Sequence, residues 1–261
     1  MKKIILIFAG IISLLSCSKD ENNSDSPNGR GCVVKSITGT GGDYDKINFE
    51  YDDEGRVIKI VDYLSDTKLI ITTTTYTYGM DEIKVKSTSN NNDKERIDIY
   101  LFNDNRVFRS ISDNGFVRTY EYDNNGYLSS IRWSSDDTNY DTNIAYKDGN
   151  ISLVQSPGYG SYLATYNDSP RLPYTESLTG AFSEWLFFGI DDATLYEQGY
   201  FGKLTKNQIV SLTHDDSYKF SFTYKNDNKG KINSVSKILE YPKNAGYGNE
   251  RESYDFNYDC D

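Results

Sequence analysis

One short pattern constrains this chain more than any other: two aromatic residues spaced two apart, then a turn rich in Asp, Asn and Gly, then an apolar run. In Thr119 to Ile131, TYEYDNNGYLSSI, Tyr120 and Tyr122 fall on one face of an extended segment. Asp123-Asn124-Asn125-Gly126 supplies turn chemistry, and Leu128 and Ile131 resume the apolar pattern. A period of two broken by turn residues does not fit a helix and dictates strand, turn, strand.

Copies of this unit run along the chain. Ile47 to Tyr51 leads through Asp52-Asp53-Glu54-Gly55 into Arg56 to Tyr63, with Gly55 in the place of Gly126. Thr72 to Ser87, Ile97 to Arg109, Asn143 to Val154 and Phe220 to Leu239 form further hairpins, and Ser253 to Tyr258 supplies a closing strand. The paired aromatics Phe49 and Tyr51, Tyr76 and Tyr78, Tyr120 and Tyr122, and Phe220, Phe222 and Tyr224 share a face, while Glu50, Thr77, Glu121, Ser221 and Thr223 between them meet water. With 23 Tyr, 12 Phe and 2 Trp, the core is built from rings. The expected fold class is all-β: a long antiparallel meander of repeated β-hairpins curling into an open or closed barrel, with one short helix.

The pattern fails between Asp168 and Asn207. Pro170 and Pro173 break the strand, and Leu178, Phe182, Trp185 and Leu186 fall near one helical face. The expected helix runs from Thr175 to Phe188 and covers or plugs one mouth of the sheet.

The N-terminus reads as an address. Lys2 and Lys3 precede an apolar run from Ile4 to Leu15, of secretory-signal length and too short to span a bilayer. Leu14-Leu15-Ser16-Cys17 resembles the bacterial lipoprotein cleavage site, which implies cutting before Cys17 and lipidation of its thiol. The chain then divides into a signal peptide (1–16), a flexible tether (17–31) and a single all-β domain (32–261). Asp20 and Glu21 resemble the export signal that sends lipoproteins of Bacteroidetes-type bacteria to the outer face of the outer membrane; the alternative is that they only solvate the tether. The expected location is the outer membrane, lipid-anchored and facing the exterior, with the periplasmic face as alternative. Cys32 and Cys260, at the two ends of the domain, form a disulfide in a compartment where such bonds persist, or remain two thiols.

The Tyr-x-Tyr-Asp-x-x-Gly unit resembles tyrosine-aspartate repeat proteins. Together with the lipobox, it resembles a family of Bacteroidetes lipoproteins whose domain of unknown function has a porin-like fold, over roughly Cys32 to Tyr258. That resemblance implies a long meander curling toward a barrel and no catalytic residues.

Several chemistries lack their parts. The formal net charge is −11 and there is no Lys/Arg stripe, so no nucleic acid partner is expected. His214 has no second histidine, no serine elbow accompanies it, and Thr213-His214-Asp215-Asp216 reads as a solvated turn. No metal or cofactor is expected, since no loop has the spacing of a calcium-binding EF-hand. Trp133, beside Ser134-Ser135-Asp136, and Trp185 are the candidate ligand-binding residues, against the plainer reading that both cover the core. The expected function is a non-enzymatic surface lipoprotein that binds a glycan or an envelope or host protein. The alternatives are a glycan-cleaving enzyme using two carboxylates from Asp52-Asp53, Asp136-Asp137, Asp191-Asp192 or Asp215-Asp216, a structural envelope component, and a barrel inserted in the membrane.

Overall fold

The structure is a computed structural model. It describes residues 32–40, 46–64, 69–90, 95–134, 139–157, 160–175, 192–215, 217–227, 232–242 and 248–260, with the backbone alone at Cys32 and Cys260. These residues form sixteen strands. The first eight are Cys32–Thr40 (β1), Lys46–Tyr51 (β2), Val57–Leu64 (β3), Leu69–Tyr78 (β4), Glu82–Ser89 (β5), Glu95–Asn103 (β6), Arg106–Ser112 (β7) and Val117–Tyr122 (β8). The second eight are Leu128–Ser134 (β9), Asn139–Lys147 (β10), Asn150–Ser156 (β11), Gly160–Pro170 (β12), Asn207–His214 (β13), Tyr218–Asn226 (β14), Ile232–Glu240 (β15) and Glu250–Cys260 (β16). Each pairs antiparallel with its neighbours in sequence, and β16 pairs back onto β1, so the barrel is closed.

The expected hairpins are all present, and their turns show why the repeat is written as it is. Asp52 Oδ1 accepts the backbone N–H groups of Glu54 and Arg56 at 3.0 and 2.9 Å, and Asp123 Oδ1 accepts those of Asn125 and Tyr127 at 2.9 Å each. The residue after each turn closes back to the Asp backbone, and Gly55 and Gly126 sit at φ of +77° and +85°, where a Cβ is costly. Asp148-Gly149 and Asp104-Asn105 make two-residue turns with both φ values positive.

Side chains alternate across the wall. Phe49, Tyr76, Tyr100, Tyr120, Phe220, Phe222 and Phe256 are buried on the inner face, while Glu50, Thr77, Glu121, Thr223 and Asp255 are exposed on the outer one. Cross-strand ion pairs Lys59–Glu50 (2.7 Å), Lys86–Glu95 (2.6 Å) and Arg132–Asp141 (2.8 Å) lie on that outer face.

The second aromatic of each pair has a different role from the first. On five of the strand pairs whose ladder stops short of the tight-turn end, the last partners there are Ser36↔Asn48, Lys59↔Thr75, Arg109↔Thr119, Ser211↔Ser221 and Ser234↔Asp255. In every case the tyrosine three residues further on donates its hydroxyl to the carbonyl two residues back on the preceding strand. These bonds are Tyr51 to Val34 (2.7 Å), Tyr78 to Val57 (2.7 Å), Tyr122 to Val107 (2.6 Å), Tyr224 to Ile209 (2.6 Å) and Tyr258 to Ile232 (3.1 Å). Where the strands splay, a side-chain hydroxyl takes the place of the missing ladder bond, which keeps the strand-start carbonyl satisfied. Between β5 and β6 the ladder instead runs on to Glu82↔Leu101, and there the equivalent residue is Phe102, which has no hydroxyl. Burial raises the tyrosine pKa values, to about 12 at Tyr51 and further at Tyr78 and Tyr122, so the hydroxyls remain donors.

A barrel of sixteen strands is too wide for its inward side chains to meet across the lumen. The described parts of the segment between β12 and β13 fill some of that space. Its described helix is Ala193–Glu197 (α1), with Asp192 as N-cap accepting from Leu195 N at 2.9 Å. Of the helix expected at Thr175 to Phe188, only Thr175 lies among the described residues. Pro170 ends β12, as expected.

Candidate functional site

The described parts of the inserted segment, residues 171–175 and 192–206, run against the inner wall far from the strands that carry them. Tyr174 packs on Phe49 at 4.8 Å between centroids, and fully buried Phe201 packs on Tyr120 at 5.0 Å and Tyr100 at 6.1 Å. Tyr76 donates to Asp192 (3.2 Å), and the Tyr78 hydroxyl, whose proton goes to Val57 O, lies 2.9 Å from the Gln198 side-chain amide. Main-chain bonds tie the segment down further: Val107 N–H donates to Tyr200 O (2.8 Å), Lys203 N–H to Gly126 O (3.0 Å) and Lys206 N–H to Gly149 O (3.1 Å). Gly202, at φ +86°, lies so near Gly126 O that an added Cβ would fall 2.5 Å from it. Inside this packing Arg171 pairs with Glu197, whose side chains are only 10% and 2% exposed, and its guanidinium also lies over Tyr196. Desolvation moves the Asp192 carboxyl up to about 6, against the opposing pull of its bonds from Leu195 N–H and the Tyr76 hydroxyl.

The meander fixes the polarity of the barrel. The turns that follow the even-numbered strands, the inserted segment, and the strand ends at Cys32 and Cys260 share one end, and the loops that follow the odd-numbered strands share the other. Toward the loop end the inner wall becomes polar. Ser110 bonds to Tyr120 (2.9 Å), Thr142 to Ser156 (3.1 Å), and Arg96 pairs with Asp98 (2.8 Å). Lys237 pairs with Glu252 at 2.7 Å, and the Tyr254 hydroxyl donates to the same carboxylate.

Trp133 belongs to this inner wall. It stands half-buried in the row Arg118, Trp133, Tyr140, with the guanidinium 5.2 Å from its ring and Tyr140 edge-on at 6.2 Å. Trp185 lies outside the described residues, as do Cys17 and the pair Asp136-Asp137. Cys32 and Cys260 are direct backbone partners across the β1–β16 seam. His214 is not in a solvated turn. It ends β13 with its ring between Tyr162 (4.4 Å) and Tyr218 (4.8 Å), whose hydroxyls bond to each other at 2.9 Å. The turn residue is instead its neighbour Asp215, which accepts from Ser161 N–H.

A cleft opens in the wall near the tight-turn end. Below Ser211↔Ser221 strands β13 and β14 separate, and a shift in register between Tyr166 and Pro170 bows the end of β12 away from β13. The resulting cleft has a volume of about 560 Å³, with Asn167, Gln208, Asn226, Phe222, Tyr224 and Pro170 among its lining residues. Asn167 donates its amide to Gln208 Oε1 at 3.1 Å. Sequence reading missed these residues because single amides at strand ends carry no motif.

The fold is thus a closed sixteen-stranded antiparallel barrel with a ring-lined lumen, partly occupied by a segment of its own chain. Residues 49–234 match the family described as a domain of unknown function (DUF4595) with porin-like fold, and the chain belongs to that family. Its barrel is similar to that of a porin-like protein from Bacteroides uniformis ATCC 8492, at 15% identity and a TM-score of 0.66, covering 87% of this chain and 98% of that one. A porin-like protein from Bacteroides vulgatus ATCC 8482 is also similar, at 13% identity and a TM-score of 0.54 with the same coverage. No curated protein matches the chain.

Proposed function

We propose that this chain is a lipid-anchored, non-enzymatic binding module of the bacterial outer membrane, displayed toward the exterior, with the barrel as a scaffold instead of a conduit. The observation that carries this reading is the inserted segment, held in the lumen by Phe201 against Tyr100 and Tyr120 and by main-chain bonds to Val107, Gly126 and Gly149. An inserted barrel presents an outward apolar band to lipid. Here the outer face carries the ion pairs Lys59–Glu50, Lys86–Glu95 and Arg132–Asp141. The similarity to porin-like proteins of Bacteroides supports an envelope setting. A tether of residues 17–31 reaching back from β1 would place the tight-turn end toward the membrane and the loop end away from it.

The glycan-cleaving alternative loses support because one carboxylate in each of three of the acidic pairs holds a turn or cap: Asp52 on Glu54 and Arg56, Asp192 on Leu195, Asp215 on Ser161. The test is metabolic labelling with a fatty-acid probe in a Bacteroides host, combined with protease treatment of intact cells. Label that depends on Cys17 and removal of the domain by external protease are expected. An unlabelled, protease-protected chain released with the periplasm would overturn the reading.

A further inference from the structure

We propose that the cleft between β13 and β14 is a binding site for a neutral saccharide; this rests on the reading of the chain as a binding module. Among the described residues its polar lining is uncharged: Asn167, Ser169, Gln208, Thr223 and Asn226. In an acidic chain of net charge −11, a cleft of about 560 Å³ whose described lining holds no carboxylate or cation favours an uncharged ligand. An ionic ligand entering it would lose hydration without a counter-charge. A carboxamide both donates and accepts, as a sugar hydroxyl does, so paired hydroxyls can bridge amides that single-function groups would satisfy only in part. Half-buried Tyr224 adds ring surface for the apolar C–H face of a pyranose. The volume lies within the range of small-ligand pockets and accommodates one or two sugar units.

The cleft is also built to stay open. The ladder between β13 and β14 ends at Ser211↔Ser221, yet the Tyr224 hydroxyl holds Ile209 O at 2.6 Å, so the strands are kept splayed at a fixed distance. On the β12 side Pro170 offers no N–H, and the backbone between Tyr166 and Pro170 drops out of register with β13. Gln208, 5% exposed, is fixed by the amide of Asn167, which pre-orients the floor of the site.

The test uses the purified full chain and saturation-transfer NMR with cellobiose, maltotriose, mannobiose, galactobiose and, as an anionic control, digalacturonate. At least one neutral saccharide should bind saturably and digalacturonate should not. Asn226→Ala should weaken that binding by about tenfold, the worth of roughly one good hydrogen bond. Thr223→Trp, which puts an indole over the outer mouth of the cleft, should abolish it, and Trp133→Ala at the far end of the barrel should leave it unchanged. Thermal melting of Asn226→Ala close to that of the parent keeps the result interpretable if Thr223→Trp fails to fold. Saccharide binding that survives Asn226→Ala and Thr223→Trp, or that is lost with Trp133→Ala, overturns the cleft while leaving the binding-module reading intact. So does binding of digalacturonate alone, or of an envelope protein with no saccharide bound. Blank saccharide titrations together with blank pull-downs from envelope extracts overturn both.

Discussion

The hydroxyl of Tyr122 donates to the carbonyl of Val107 at 2.6 Å, two residues beyond the point at which the β7–β8 ladder stops, and Val107 N–H is taken at the same place by Tyr200 O of the inserted segment. One residue thus ties the wall to the segment in its lumen, and fully buried Val107 has both backbone groups satisfied. Tyr122→Phe removes the donor and leaves that carbonyl without it. A loss of about 1 to 2 kcal/mol in denaturant unfolding is expected, with the slope unchanged. A neutral effect would show that the hydroxyl bridges nothing of consequence.

The ion pair inside the inserted segment tests how firmly that segment is held. Glu197→Ala deprives the buried guanidinium of Arg171 of this carboxylate and is expected to cost about 3 to 5 kcal/mol. Replacing the pair together, Arg171→Met with Glu197→Leu, should restore much of the loss. Equal damage from the single and double variants, measured by chemical unfolding, would contradict this.

Burial gives the stability a distinctive pH dependence. The Asp192 and Asp62 carboxyls each rise to about 6, in both cases through desolvation. A carboxyl whose folded pKa lies above its unfolded value of about 4 holds its proton more tightly in the folded state, so its stabilising contribution is complete below about pH 4 and is lost as the pH rises through 6. Melting temperature should therefore fall between pH 4.5 and 7. Asp192→Asn, which keeps an acceptor at the N-cap, should flatten part of that slope and melt higher at pH 7. Parallel melting curves for parent and variant would refute the assignment.

Cys32 and Cys260 face one another in the β1–β16 register. Directly opposed antiparallel residues stand about 4.5 to 5.5 Å apart at Cα, inside the span a disulfide requires. A bond there is expected, closing the seam and contributing at most about 5 kcal/mol on the chain-entropy model. Alkylation of the leaderless chain without reductant should leave both cysteines unmodified, and reductant should lower the melting temperature. Full alkylation of both thiols in the oxidised protein would rule the bond out.

The parts of this molecule that could be read from sequence are those settled within a dozen residues. Asp123 and Gly126 define their turn locally, and Tyr120 and Tyr122 share a face whatever else happens, so the hairpins and the inward rings were legible. Closure was left open because it depends on Cys32–Thr40 meeting Glu250–Cys260 across the length of the chain. The role of Tyr122 was missed for a related reason. Ring-to-ring cohesion follows from spacing alone, whereas the bond to Val107 depends on where a ladder stops, and that is a property of register. Asp192 did carry a local signal, an N-cap acid before Ala193-Thr194-Leu195, which the stronger apolar pattern of Leu178 to Leu186 drew attention away from. Asn167, Gln208 and Asn226 come together only because β13 and β14 part, and no spacing in the chain announces it.

The most direct test of a plugged, water-facing barrel is the sedimentation mass of the leaderless chain in detergent-free buffer. A single monodisperse species at the mass of one chain is the expected result. A chain that stays dispersed only in detergent, and sediments as aggregate without it, would contradict the assignment of a polar outer face.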